Sequence, residues 1–188
     1  MKRLKKKIRH QIRERGFTIV ELLTVFAIVA IMVALAVFGF HEMAACSRLK
    51  AAARDIVSNM QLTRIKALKS SSDWAVQFDT NSGTYRILSD SGDGKWTTIS
   101  DNTVFRTVDL SSYPGVSYGS TGSPQNRPGA TYSDAVSFSC DRVIFSADGT
   151  SESGTVYIRN IDGDTFAVGS TSTTGRIKTW HYHGGAWE

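Results

Sequence analysis

The sequence predicts an α+β protein: one long N-terminal helix, membrane-spanning in its first half, packed through its second half on an antiparallel β-sheet. Three observations carry this reading. Residues 17–40 form an almost unbroken apolar run. Residues 41–69 contain no Pro or Gly and place apolar side chains at helical spacing. From Trp74 onward, short β-rich runs alternate with turn dipeptides. At 188 residues the chain holds one globular domain and an additional segment. Its 41% hydrophobic content excludes wholesale disorder, and two cysteines exclude a disulfide scaffold or a Cys-based zinc ribbon.

The net charge of +5 is a local feature of the N-terminus. Lys2, Arg3, Lys5, Lys6, Lys7, Arg9, Arg13 and Arg15 crowd the first sixteen positions, against the single acid Glu14. The remainder holds 14 basic and 16 acidic residues, a net of −2. A uniformly basic nucleic-acid binder is therefore not supported.

The first half of the helix follows that basic run. Residues 17–40 would form about 36 Å of helix, enough to cross a ~30 Å hydrocarbon core. From Leu22 to Phe40 the only polar side chain is Thr24. The preceding cations predict a cytoplasmic N-terminus, with the rest of the chain across the membrane. The run is longer than the ~7–15-residue core of a cleaved secretory signal. Neither a secretory signal nor a plain anchor explains Glu21, a carboxylate that costs about 2.5–3.5 kcal/mol at full depth. A cut between Gly16 and Phe17 would supply a partner. Phe17 would then carry a protonated α-amino group, with Glu21 four residues on, on the same helical face.

Arg15-Gly16-Phe17-Thr18-Ile19-Val20-Glu21-Leu22-Leu23 resembles the prepilin peptidase site of type IV pilins and type II secretion pseudopilins. The resemblance implies cleavage after Gly16, N-methylation of Phe17 and an assembly role for Glu21. It also implies retention of the apolar helix, first as inner-membrane anchor and later as filament core. Three segments follow: a leader over 1–16, a transmembrane and filament-core helix over 17–40, and a periplasmic pilin-like domain over 41–188.

The second half of the helix carries the stripe Leu49, Ala52, Ala53, Ile56, Met60 and Ala67, with Arg48, Lys50, Arg54, Asp55 and Gln61 on other faces. Ser70-Ser71-Ser72-Asp73 ends the pattern. Strands are expected at 74–78, 84–88, 96–99, 103–109, 116–118, 135–139, 142–146, 155–159, 165–168 and 176–182. Asn81-Ser82-Gly83, Asp93-Gly94, Asp148-Gly149 and Asp162-Gly163 supply turns between them. Residues 111–133 hold all three prolines and read as a long surface loop.

Phe145-Ser146-Ala147-Asp148-Gly149-Thr150, Ser153-Gly154-Thr155-Val156-Tyr157-Ile158, Gly169 and Thr174-Gly175-Arg176-Ile177-Lys178 resemble the closing signature of the GspH/FimT family of minor pilins. Gln61-x-x-Arg64-x-x-Ala67 is similar to the same family's helix motif. The resemblance implies a type IV pilin-like fold. It also implies a structural role in the pseudopilus of a type II secretion system or a related type IV pilus. Its implied partners are other pilins or pseudopilins, prepilin peptidase, the inner membrane and a secreted protein substrate.

A second reading is a DNA-binding minor pilin used in natural transformation. Alternation in the last strand puts Arg176, Lys178, Trp180 and Tyr182 on one face, where cations could hold phosphates and rings could stack on bases. FimT-type members carry Gly-Arg-x-Arg here, whereas this chain has Gly-Arg-Ile-Lys, and Lys offers a point charge in place of a bidentate fork.

No catalytic motif appears, so no enzyme activity and no cofactor are expected. No metal site is expected either. His181 and His183 share a side of their strand, but two ligands are too few and no acid or Cys lies near them in sequence. Asp90-Ser91-Gly92-Asp93-Gly94 lacks the spacing of a calcium loop and reads as a turn. Cys46 and Cys140 fall in helix and sheet regions respectively, and are expected to remain unbonded.

Overall fold

A computed structural model describes residues 17–92, 94, 96, 102–120, 134–172, 174–183 and 186–187, without the side chains of 36–42. The chain divides into two units, Met1–Phe40 and His41–Glu188, and helix α1 (Ile19–Ser70) has residues in both.

In the first unit, Thr18 caps α1: its Oγ1 accepts a hydrogen bond from the Glu21 backbone N–H at 3.2 Å. The Thr24 hydroxyl donates back to the Glu21 carbonyl at 2.8 Å, so the one polar side chain beyond Glu21 is satisfied within the helix. Every described side chain from Phe17 to Leu35 is exposed. Among the described residues no helix is long and apolar enough to cross a membrane. The described apolar side chains of α1 cover about 26 Å. Those at 36–40, the rest of the expected span, lie outside the described residues.

The second unit is built on the expected stripe. Leu49, Ala52, Ala53, Ile56, Met60 and Ala67 are all buried, with Ala45 and Thr63 completing the row. Their three- and four-residue spacing gives one continuous face. The helix ends at Ser70, and Ser71 takes a left-handed conformation (φ 49°) that turns the chain into the sheet.

Two antiparallel sheets follow, where the sequence predicts one. The first comprises β1 (Trp74–Asp79), β2 (Thr84–Ser89), β3 (Thr103–Asp109) and β5 (Arg142–Phe145), in the order β3-β2-β1-β5. The second comprises β4 (Ser117–Tyr118), β6 (Gly154–Arg159), β7 (Thr165–Thr171), β8 (Arg176–His183) and β9 (Ala186–Trp187), in the order β4-β6-β7-β8-β9. Val76, Phe78, Tyr85 and Ile87 from the first sheet and Val156, Ile158 and Val168 from the second share one core cluster with the helix stripe.

The expected strand at 135–139 is reduced to a single bridge, Val136 to Val156. Beyond it the chain enters a 3-10 turn (Ser139–Asp141), where Cys140 and Asp141 both hold φ 53° and interrupt any ladder. The candidate strand at 96–99 lies outside the described residues except for Trp96, which is buried and accepts a hydrogen bond on its carbonyl from Arg142 Nη1 at 2.6 Å. Over the expected loop at 111–133, a 3-10 turn (Leu110–Ser112), capped by Asp109, precedes β4, and 121–133 lie outside the described residues. Among polar groups, Asn59 is buried. Its Nδ2 donates to the Tyr85 hydroxyl at 2.8 Å, and that hydroxyl donates to Asp55 Oδ2 at 2.7 Å.

Candidate functional site

The proposed processing site is only partly in view. Gly16 lies outside the described residues, and Phe17 is exposed just before the cap Thr18. The helix begins at Ile19, two residues after Phe17. Glu21 sits in the first turn of α1, exposed, where a carboxylate complements the helix dipole.

The signature residues meet within the second unit, the head (residues 41–188). Arg64, on α1, reaches two turns at once: Nε donates to the Gly149 carbonyl and Nη2 to the Thr174 carbonyl, both at 3.0 Å. Gly149 closes the β5–β6 turn and Gly175 the β7–β8 turn. A Cβ on Gly175 would stand 2.3 Å from the Gly149 oxygen and 2.9 Å from Arg64 Nε, so only glycine fits. The same crowding holds inside the sheet, where a Cβ on Gly154 would strike the Phe138 ring at 2.3 Å. In the β5–β6 turn, Asp148 accepts hydrogen bonds from the Thr150 hydroxyl and backbone N–H, which hold its carboxyl below the usual carboxylate range. The sequence motifs scattered over 61–67, 145–158 and 174–178 are thus one assembly in space.

The last long strand, β8, has two faces. Ile177 and Thr179 line grooves against α1, and His181 stacks on Phe166 of β7 (centroids 4.3 Å apart). Arg176 and Lys178 are both exposed and Trp180 and Tyr182 half-buried, and Arg176 borders the same groove against α1 as Ile177. The rings are already engaged, however. Trp180 lies over Gly169, and Tyr182 packs on Trp187 of β9 at 5.2 Å, which in turn packs on Tyr157 at 6.2 Å. Strand β9, absent from the sequence expectations, supplies the Trp187 ring to this packing.

The histidines have neighbours that sequence distance hides. Ligand atoms of Cys46 on α1, Asp164 before β7 and His181 on β8 all lie within 4.8 Å of one another. His183 Nδ1 is 2.6 Å from Asp164 Oδ1. No acid or Cys lies near His181 in sequence, yet one of each stands beside it in space. The signal was weak because Cys46 lies more than a hundred positions before Asp164 and His181. Only the period-2 alternation of β8 and the helical phase of Cys46, three residues before buried Leu49, pointed inward. Both cysteines are free.

The long helix, the two antiparallel sheets and the turn assembly define a pilin-like α+β protein. The family model of the type II transport protein GspH matches residues 52–175, and that of the prokaryotic N-terminal methylation motif matches residues 12–39. The chain belongs to the GspH family of type II transport proteins. It is accordingly a minor pseudopilin of type II secretion, and the DNA-uptake alternative is not favoured. The family match stops at Gly175, so Arg176 and Lys178 fall just beyond it. Among solved structures, one of the minor pseudopilin EpsH from the type II secretion system of Vibrio cholerae is similar at 15% identity, covering 70% of this chain and 95% of that one, with a TM-score of 0.47. A crystal structure of EpsH from the same system is similar at 14% identity, covering 71% and 93%, with a TM-score of 0.47. No curated protein matches the chain.

Proposed function

We propose that prepilin peptidase removes residues 1–16 and that the mature subunit begins at an N-methylated Phe17. Residues 17–40 anchor it in the bacterial inner membrane, N-terminus cytoplasmic, with 41–188 in the periplasm. It then joins other pilins or pseudopilins in a short periplasmic filament that acts on secreted protein. The subunit is a structural part with no catalytic step of its own.

The observation that carries this reading is the exposure of residues 17–35 on every side. Phe17, Ile19, Val20, Leu23, Phe26, Ile31, Met32 and Leu35 are each more than 60% exposed. A helix that is apolar all round needs lipid or other helices around it, and a filament core of packed helices supplies the second. Glu21 is the one acid in that surface. Pairing it with a neighbour's N-terminal amine removes two lone charges from a low-dielectric core.

The test is gene deletion in the parent bacterium, complemented with the wild-type chain or with Glu21→Val, reading secreted proteins in the supernatant. The wild type should restore secretion. Glu21→Val should reach the membrane yet fail to restore it. Normal secretion by the deletion strain contradicts the subunit reading, and full rescue by Glu21→Val contradicts the charge pairing.

A further inference from the structure

We propose that Cys46, Asp164 and His181 form a binding site for a zinc-class divalent cation, which clamps the sheet onto the first turns of the head's helix. The site goes beyond the filament reading and does not depend on it. Three different elements supply three different ligand types: a thiol from α1, a carboxylate from the β6–β7 turn and an imidazole from β8. Thiolate, imidazole and a single carboxylate suit zinc and its neighbours, whereas calcium and magnesium require oxygen-rich sites. Zinc bond lengths of about 2.0–2.3 Å place tetrahedral ligand atoms roughly 3.3–3.7 Å apart. The three atoms lie within 4.8 Å of one another, so side-chain rotation of about 1 Å closes the set.

The surroundings hold two of the ligands in place. The Asn160 side-chain oxygen accepts the backbone N–H groups of Asp162 and Asp164 at 3.1 and 2.9 Å, fixing the turn that presents Asp164. His183 Nδ1 lies against Asp164 Oδ1 at 2.6 Å and Asn160 Nδ2 donates to Oδ2 at 3.3 Å. Each carboxylate oxygen keeps a second lone pair for a metal. The His181 ring lies nearly parallel to Phe166, at 4.3 Å, and to His183, at 5.7 Å. Polar partners behind ligands of this kind orient metal sites and typically contribute 10- to 100-fold in affinity. On binding, the cation displaces the Cys46 thiol proton to solvent and forms a metal–sulfur bond, with no change in oxidation state.

The test uses the full chain, reduced and metal-free in detergent, with cobalt(II) and zinc as probes. Cobalt should give an intense near-ultraviolet thiolate-to-metal band at one ion per chain, removed by added zinc and absent in Cys46→Ser. His181→Ala should weaken binding by more than about tenfold, and His183→Ala by about tenfold. A variant-free measurement stands beside these. Zinc should slow alkylation of half-buried Cys46 by about tenfold or more while leaving exposed Cys140 unchanged. Cobalt binding without a thiolate band, or Cys46 alkylation indifferent to zinc, overturns the proposal. In that outcome Asp164 and His183 are a simple ion pair and Cys46 a packing residue.

Discussion

At the scale of single residues, Arg64 and Gly175 act as one device. Arg64→Ala leaves the Gly149 and Thr174 carbonyls without their charged donor. The expected loss is about 1.5–3 kcal/mol, read from urea unfolding of the head with an unchanged slope. Arg64→Lys should recover less than half of it, since an ammonium cannot span both carbonyls. Gly175→Ala should cost about 2 kcal/mol or more, from positive φ (56°) and the contact with the Gly149 oxygen. Tyr85 gives a pH signature. Burial, then the hydrogen bond to Asp55, push its phenol far above the ordinary value of 10.0. The unfolded chain titrates at the ordinary value, so the folded state holds the proton more tightly. The stability this contributes is complete below about pH 10 and is lost as pH rises above it. Tyr85→Phe should be less stable than wild type at neutral pH by about 1–2 kcal/mol, because Asn59 and Asp55 lose their partner. Its stability should then fall less steeply above pH 10.

At the scale of elements, the helix stripe was legible because period 3.6 burial is a local property. Leu49, Ala52, Ala53, Ile56, Met60 and Ala67 read as core from spacing alone, and each is buried. Ile56→Ala or Met60→Ala should cost about 2–5 kcal/mol in thermal or urea unfolding, whereas Lys50→Ala, on an exposed face, should change little. Strands were legible where turn dipeptides flank them, as around β1, β2, β6 and β7. The division into two sheets was not, since partner choice between distant strands leaves no local trace. The apolar run around Val136 has the composition of a strand but forms only a bridge, because the left-handed Cys140 and Asp141 stop extended pairing. The cluster of Cys46, Asp164 and His181 was illegible for the same reason as the sheets: it exists only once β7, β8 and the helix are assembled.

At the scale of the whole molecule, the apolar helix and the head are separate folding problems. The buried core of the head lies entirely at residue 45 and beyond. A chain begun near residue 44 should therefore fold alone, with mixed helix and strand circular dichroism and one cooperative melt. A featureless spectrum would contradict a self-sufficient head. The remaining claim concerns the N-terminus, where the Arg15-Gly16-Phe17 junction, the acid at Glu21 and the exposed apolar helix all bear on one processing event. Intact and N-terminal peptide mass spectrometry of the membrane-extracted protein tests it most directly. The account predicts a chain beginning at Phe17 and methylated on its α-amino group, with residues 17–40 retained. An intact Met1, or a cut within the Ala-rich stretch that discards the apolar helix, would contradict it.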